Sequence, residues 1–322
     1  MSNPPFTITS KVLNLCSKIS RVLGRCEGLQ LSAPSPQLRR QNRIRSIQSS
    51  LAIEGNILTQ EQISAIIDHK RVIGPAKDIR EVQNAIEVYA KIKDYDPYSI
   101  KSFLAAHQLL MRGLSADAGQ FRRSGVGVMQ GAKVVHMAPP AGRVPQLMAG
   151  LFVFLKNAGD SHVFIRSCVF HYEAEFIHPF GDGNGRMGRL WQSVILTRAH
   201  PVFECIPVES LVRQRQKEYY RVLRLCDQKG DSTLFVEFML EALNDAVEEF
   251  VADLKEITST PYSRLDTARR FFGAKTFSRN DYMRFHKTVS SATASRDLSL
   301  GVSEKTLRRR GTKALSKYVF VS

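Results

Sequence analysis

His178 to Arg189 read HPFGDGNGRMGR, which places an imidazole, a carboxylate, a Gly-Asn-Gly turn and two guanidinium groups within one short stretch. An imidazole can take a proton from a hydroxyl. One carboxylate, with phosphate oxygens and water, suffices to hold magnesium. A glycine turn that opens a helix presents unpaired N–H groups to an anion. Taken singly, each residue has a plainer use: a histidine before proline packs, Asp182 caps, Gly-Asn-Gly turns, and Arg186 and Arg189 face solvent. Together they suit nucleotide chemistry, in which positioning and charge neutralisation carry the reaction.

Two helices must hold this stretch. Val163, Phe164, Cys168, Val169, Phe176 and Ile177 have helical spacing, and Pro179 cannot continue that helix. His178 is therefore expected at a helix end, projecting into a loop. Met187, Leu190, Val194, Ile195 and Leu196 predict a second helix from about Asn184 to about Arg198. Arg186 and Arg189, three apart, then project from its first turn toward one anion.

HPFGDGNGRMGR resembles the signature of the Fic family, His-x-Phe-x-Asp/Glu-Gly-Asn-Gly-Arg-x-x-Arg, at every defining position. Most Fic proteins transfer AMP from ATP to a hydroxyl side chain of a target protein. The resemblance implies His178 as general base, Asp182 as the Mg2+ ligand and Phe180 as the buried anchor of the loop. It implies Gly183, Asn184 and Gly185 as the anion hole, Arg186 at the β-phosphate and Arg189 at the γ-phosphate of ATP. It also places Tyr219 and Tyr220 near the adenine, although both could equally serve packing alone. The fold it implies is mainly α, a Fic-type helical bundle with one β-hairpin flap.

SLAIEGN, from Ser50 to Asn56, carries the pattern [ST]-x-x-x-E-[GN]. By itself this is an amphipathic helix with a glycine cap. Beside the signature it resembles the family's inhibitory helix, here over about Leu38 to Glu54. That implies a brake in which Glu54 pairs with Arg189, in bidentate fashion, and Ser50 helps to hold it there. Thr59 and Gln62 form a capping-box pattern for the next helix.

Other helices are expected as one within residues 1–40 (Val12, Cys16, Ile19, Leu23 and Cys26 as a single stripe), over 77–115 as a pair, and over 144–157, 161–177, 210–229 and 233–254. LSAPSPQ (31–37) reads as a loop, and His107 and Trp191 as core residues. GQFRRSGVGVMQGAKVVHMAPP (119–140) breaks the helical rhythm: Val126 and Val128 alternate, Gln130-Gly131 turns, and Val134-Val135-His136 returns. In the family such a hairpin docks the target as an added strand.

The chain has 322 residues and a net charge of +16, and from Pro261 onward 14 Lys/Arg stand against 4 Asp/Glu, a net +10. A basic tail favours nucleic acid or an acidic partner. ITSTPYS (257–263) reads as a linker. Beyond it, helices over 277–286 and 290–298 and a basic hairpin resemble a winged helix-turn-helix that could contact DNA through residues 277–320. The expected domains are an N-terminal helical region with the inhibitory helix (1–60), a catalytic core (61–256) and a winged-helix domain (257–322). No apolar run reaches membrane-spanning length, and MSNPPFTITS lacks signal-peptide form. Five cysteines without metal or redox spacing suit reduced thiols, so a cytoplasmic protein without membrane contact is expected. The expected partner is a target with a Ser, Thr or Tyr hydroxyl, the chain itself included, and a homo-oligomer is compatible with the sequence. The competing functions are AMP removal, another nucleotide donor, and a nucleotide-sensing DNA-binding regulator.

Overall fold

The computed structural model describes residues 4–28, 36–130, 133–157, 161–286, 289–311 and 316–321. Most of these are helical. The chain divides into two compact units, Met1–Glu249 and Phe250–Ser322.

The first unit begins with α1 (Ser10–Gly28), α2 (Pro36–Ile53), α3 (Gln60–Ile67), α4 (Ala76–Ala90) and α5 (Ile100–Leu110). A hairpin follows, β1 (Gly127–Gln130) with β2 (Lys133–Met137), antiparallel, with Gly127 opposite Met137 and an irregularity between Val128 and Met129. Then come α6 (Val144–Asn157), α7 (Val163–Ile177), α8 (Asn184–Ala199), α9 (Val208–Gln214), α10 (Gln216–Lys229) and α11 (Thr233–Ser259). The expected helix over 210–229 is two helices that meet at Arg215. α11 outruns its apolar pattern by several residues, because adding residues to an existing helix is far less costly than nucleating one. Residues 31–35 of the expected loop lie outside the described residues, and Pro36 and Gln37 already belong to α2.

α7 and α8 form the central pair, and both are buried on most of their circumference. Between them and α5 sits an aromatic cluster of Phe103, Phe152, Phe170, Phe180 and Trp191, with Phe103 and Trp191 edge to face at 5.0 Å. Trp191 is fully buried and donates from Nε1 to Pro97 O at 3.1 Å, as a core indole requires. Thr59 caps α3 with Gln62 in the reciprocal capping box.

α2 is held differently. Its buried face mixes Leu38, Ile44, Ile47 and Leu51 with Asn42, Ser46, Gln48, Ser49 and Ser50. Each of these polar side chains has a partner. Asn42 donates to Cys205 O at 2.9 Å, Ser49 pairs with Ser210 at 3.2 Å, and Gln48 accepts from Arg213. Ser46, Tyr89 and Ser193 donate to the buried carboxylate of Glu209 at 2.9, 3.1 and 3.1 Å. One residue on α9 thus fixes α2, α4 and α8 against one another. Directional contacts of this kind set the register of α2, which apolar contact alone leaves loose.

The second unit contains α12 (Pro261–Phe272), β3 (Phe277–Ser278), α13 (Arg279–Phe285), α14 (Ser291–Ser303), β4 (Leu307–Arg310) and β5 (Lys317–Phe320). The three strands form one antiparallel sheet of order β3-β5-β4. Leu265, Ala268, Phe277, Tyr282, Ala294, Leu298, Leu307 and Phe320 make its core. Two expectations differ here. Residues 257–263 are not a loop: α11 runs to Ser259, and Thr260 caps α12 with Pro261 in its first turn. The compact division falls inside α11, and residues 1–60 lie within the first unit. Phe277 and Ser278 pair with β5 before α13 begins, because Ser278 and Asp281 form a capping box.

Among the described residues no helix is long and apolar enough to cross a membrane. Cys16, Cys168, Cys205 and Cys226 are buried and free.

Among its described residues the second unit encloses one buried ion pair. Arg264 donates to both oxygens of Asp297, at 2.6 and 2.8 Å, and the Tyr282 hydroxyl adds a third bond at 3.1 Å. Removing one partner strands the other charge in the core. Asp297→Ala is expected to cost about 3 kcal/mol, seen as a lower urea midpoint with an unchanged slope.

Candidate active site

α7 ends where the sequence requires. His178 caps it in the left-handed region, with φ 51° and ψ 62°, and donates its N–H to Ala174 O. That conformation is uncommon for a residue with a side chain, and the surroundings enforce it. The Arg122 guanidinium donates to His178 O at 2.7 Å, to Ser124 O at 2.8 Å, to Ile177 O at 3.3 Å and to Pro139 O. Arg122 N donates to Pro179 O at 3.0 Å. One arginine therefore ties the end of α7 to the segment that leaves β2. The imidazole Nδ1 lies 3.3 Å from Glu175 O.

The loop from Pro179 to Gly183 is anchored from beneath. Phe180 is fully buried, stacked on His107 at 3.5 Å and on Phe103 at 5.3 Å. Asn184 closes the loop on itself: its Oδ1 accepts from Phe180 N at 2.9 Å and its Nδ2 donates to Phe180 O at 3.0 Å. The Asn184 side chain is thus a lock for the loop, and only its backbone N–H remains for an anion. His107 is a core histidine, as expected, with a further duty. Gly119 N donates to Nδ1 at 2.9 Å, so Nε2 carries the hydrogen and donates to Asp182 O at 3.0 Å. Burial lowers its pKa to about 4, so it stays neutral and keeps that tautomer.

Gly183 caps α8 at φ 83°, a conformation that favours glycine. Met187 N makes the first intrahelical bond, to Gly183 O, so the N–H groups of Asn184, Gly185 and Arg186 lie ahead of the helical ladder. Asp182 stands at the rim with its side chain 58% exposed; its Oδ1 accepts from Gly183 N at 2.6 Å and from Arg186 Nη2 at 3.1 Å. Among the described residues no group of three or more His, Cys, Asp or Glu could hold a metal. A lone exposed carboxylate fits an ion held mainly by phosphates and water, not an all-protein cage.

Arg189 lies in the second turn of α8 and is almost fully buried. Nη2 donates to Glu54 Oε1 at 2.7 Å and to Ser50 O at 3.0 Å, and Nε donates to Ser50 Oγ at 3.1 Å. Glu54 thus meets Arg189 through one carboxylate oxygen, and Ser50 meets the same guanidinium through its hydroxyl and its carbonyl. Burial works against the charge of Arg189, and the carboxylate of Glu54, with Tyr219 and Glu175, more than offsets it, so its pKa lies above the ordinary value. A Cβ on Gly185 would lie 2.5 Å from Glu54 Oε1. Only glycine at 185 lets that carboxylate settle onto the first turn of α8.

Tyr219 departs from expectation. It is 1% exposed, its hydroxyl meets His171 Nε2 at 3.1 Å, and its ring packs on Phe235 and Phe238. It has no face to offer an adenine. Its period on α10 places it inward, and the adjacent Tyr220 points outward, 45% exposed with its hydroxyl 3.5 Å from Ile53 O. Glu81, Arg122, Glu175 and Glu209 carry no signal in the sequence, because their partners lie on distant segments or in the packed interior.

Residues 97–196 match the Fic/DOC family. The chain aligns over its whole length with the crystal structure of a Fic family protein from Desulfovibrio desulfuricans G20, at 44% identity and a TM-score of 0.77, covering 99% of that chain. The chain belongs to the Fic family. It is also 27% identical over 239 residues, 70% of its length, to "Protein adenylyltransferase fic-1" of Caenorhabditis briggsae, and 27% identical over 215 residues to "Protein adenylyltransferase Fic" of Drosophila melanogaster. It spans 45% and 41% of the length of those two relatives.

Glu175 gives the site a pH signature. Its Oε1 is buried without a hydrogen-bond partner and 3.8 Å from His171 Nε2. Burial, against the pull of Arg189, raises its pKa to about 7. A carboxyl raised in the folded state destabilises the fold as pH climbs from the unfolded value toward 7, and the penalty is constant above that. Glu175→Gln is therefore expected to leave Tm unchanged near pH 4.5 and to raise it by about 5 °C above pH 7.5. A Tm difference independent of pH in thermal scans would contradict this.

Proposed function

We propose that this chain is a protein adenylyltransferase, moving AMP from ATP to a hydroxyl side chain of a target protein, and that Glu54 holds it in check. The observation that carries this reading is the seat of the Glu54 carboxylate. It rests against Gly185 and Arg189 at the start of α8, where backbone N–H groups and a guanidinium await an anion. A γ-phosphate on Arg189 and the Glu54 carboxylate would compete for the same donors.

In this mechanism Arg186 faces the β-phosphate and Arg189 the γ-phosphate once Glu54 withdraws. His178 takes the proton of the incoming hydroxyl. Its oxygen bonds to the α-phosphorus, the bond from that phosphorus to the bridging oxygen breaks, and pyrophosphate leaves with the electron pair. The N–H groups of Asn184, Gly185 and Arg186 receive the phosphate charge. Asp182 would hold Mg2+, which neutralises phosphate charge when bound. The family relatives named as adenylyltransferases support this chemistry. Tyr220, exposed beside Ile53 O, is the aromatic residue left for the adenine.

The hairpin supports a protein target. Among the described residues β1 and β2 pair only with each other, so each strand keeps an unpaired outer edge to which a target strand could be added. Backbone pairing there would bring the target hydroxyl to His178 with little demand on target sequence.

A second reading concerns the basic tail. The helix, strand, two helices and hairpin of the second unit have the order of a winged helix. Ser291 and Arg296 on α14 are exposed, as are Arg308, Arg309 and Arg310 on β4, which suits phosphate contact. Replacing Arg308 and Arg310 together by Glu is expected to abolish retention of duplex DNA at low salt. Parent protein that shows no retention at any salt concentration would refute DNA binding.

Transfer from α-labelled ATP to protein tests the main reading. Glu54→Gly is expected to raise labelling about tenfold or more, since it frees a charge-assisted contact of Arg189. His178→Ala in that background is expected to lower it by about 10²–10⁴. Labelling unchanged by Glu54→Gly would end the brake, and labelling unchanged by His178→Ala would end the assigned base.

A further inference from the structure

The motif arginines do not share one carboxylate. Arg189 meets Glu54, but Arg186 meets Glu81 of α4, whose Oε1 accepts from Arg186 Nη1 at 3.0 Å. Glu81 is 6% exposed and Arg186 5%. The other oxygen of Glu81 accepts from Asn56 Nδ2 at 2.8 Å. Asn56 lies two residues beyond Glu54 and is itself pinned: Nδ2 also donates to Asp78 O at 3.1 Å, and Oδ1 accepts from Leu58 N at 3.1 Å. The exit of the brake helix is thus bonded to the carboxylate that holds Arg186.

Arg186 has a second acceptor, Asp182 Oδ1 at 3.1 Å. The two acceptors differ in kind. Asp182 is a solvent-facing rim carboxylate, free to turn toward a cation. Glu81 is enclosed and held at both oxygens. When Asp182 turns away, Nη2 of Arg186 is released toward a phosphate, and Glu81 still fixes the plane of the guanidinium through Nη1. A long arginine side chain loses its directional advantage unless something of this kind restrains it.

We propose that Glu81 is a positioning residue that sets Arg186 for the β-phosphate of an adenine nucleotide and, through Asn56, ties that arginine to the brake segment. The brake segment then governs both motif arginines, Arg189 directly through Glu54 and Arg186 at one remove through Asn56 and Glu81. Glu81 touches no reacting atom. Its effect is confined to nucleotides that carry a β-phosphate.

This inference rests on the reading of Arg186 as the β-phosphate ligand, and the test separates the two. The full chain, with Glu54 in place, is titrated by calorimetry with ADP and with AMP in the presence of magnesium. Arg186→Ala is expected to weaken ADP and spare AMP; equal weakening of both would refute the β-phosphate reading itself. Glu81→Gln, which keeps the shape but breaks one of the two bonds, is expected to weaken ADP about tenfold and AMP less than about twofold. Asn56→Ala leaves Glu81 and Arg186 intact and is expected to weaken ADP about threefold, again sparing AMP. With Arg186→Ala selective for ADP, the positioning role is overturned if Glu81→Gln tightens ADP, leaves it unchanged, or weakens both nucleotides alike. If Glu81→Gln does not fold, as complete loss of AMP binding would reveal, Asn56→Ala decides by the same ratio.

Discussion

Arg189 is a guanidinium buried in the second turn of a helix, and the first unit is arranged around the need to give it a negative partner. A buried charge without one costs several kcal/mol, so leaving the site without an anion lowers the stability of the fold. In the resting arrangement Glu54 supplies the charge and Ser50 supplies two acceptors. In the proposed catalytic arrangement a phosphate does. In the proposed mechanism the brake would therefore answer an electrostatic need of the fold, met by a side chain at rest and by a substrate phosphate during transfer. It also explains why α2, which delivers Glu54, is anchored by hydroxyls and amides. Bonds from Asn42, Ser46, Gln48 and Ser49 set its rotation, and rotation decides whether residue 54 reaches Arg189.

The candidate site was legible in the sequence because it is local. His178, Asp182, Gly183 and the two arginines lie on one loop and one helix start, and periodicity with Pro179 marked both boundaries. The Thr59–Gln62 cap was legible for the same reason. What escaped notice depends on contacts across large sequence separations. Glu209 looks like an ordinary helix residue until Ser46, Tyr89 and Ser193 are seen to converge on it. Arg122, in a stretch read only for its hairpin, gathers carbonyls from Ser124, Pro139, Ile177 and His178. Tyr219 and Tyr220 differ in fate by one position on α10, and sequence alone could not say which of the pair faces inward.

The loop itself shows how little of a phosphate site needs to move. Phe180 on His107, the Asn184 lock, and His107 bonded to Asp182 O hold the backbone from below. The neutrality of His107, enforced by burial, keeps an added positive charge away from a site that already carries two arginines. Anion donors are therefore fixed before any ligand arrives, which is the condition for electrostatic stabilisation of a transition state. The parts that keep contact with water are side chains at the rim, Asp182 and Glu54, both carboxylates and both more exposed than the arginines they meet.

That asymmetry of exposure orders the charges. Arg186 and Arg189 are enclosed, as are Glu81 and the buried oxygen of Glu175, whereas Glu54 and Asp182 keep contact with water. In the proposed reaction an incoming triphosphate would displace Glu54 from Arg189, Asp182 would turn toward the metal at the rim, and the enclosed carboxylates would stay in place. Exchange of a hydrated anion for a bound one costs far less than extraction of a buried carboxylate. The enclosed pair of Glu81 and Arg186 would then persist through the proposed exchange, so the orientation it gives to the guanidinium belongs to the fold and not to the ligand.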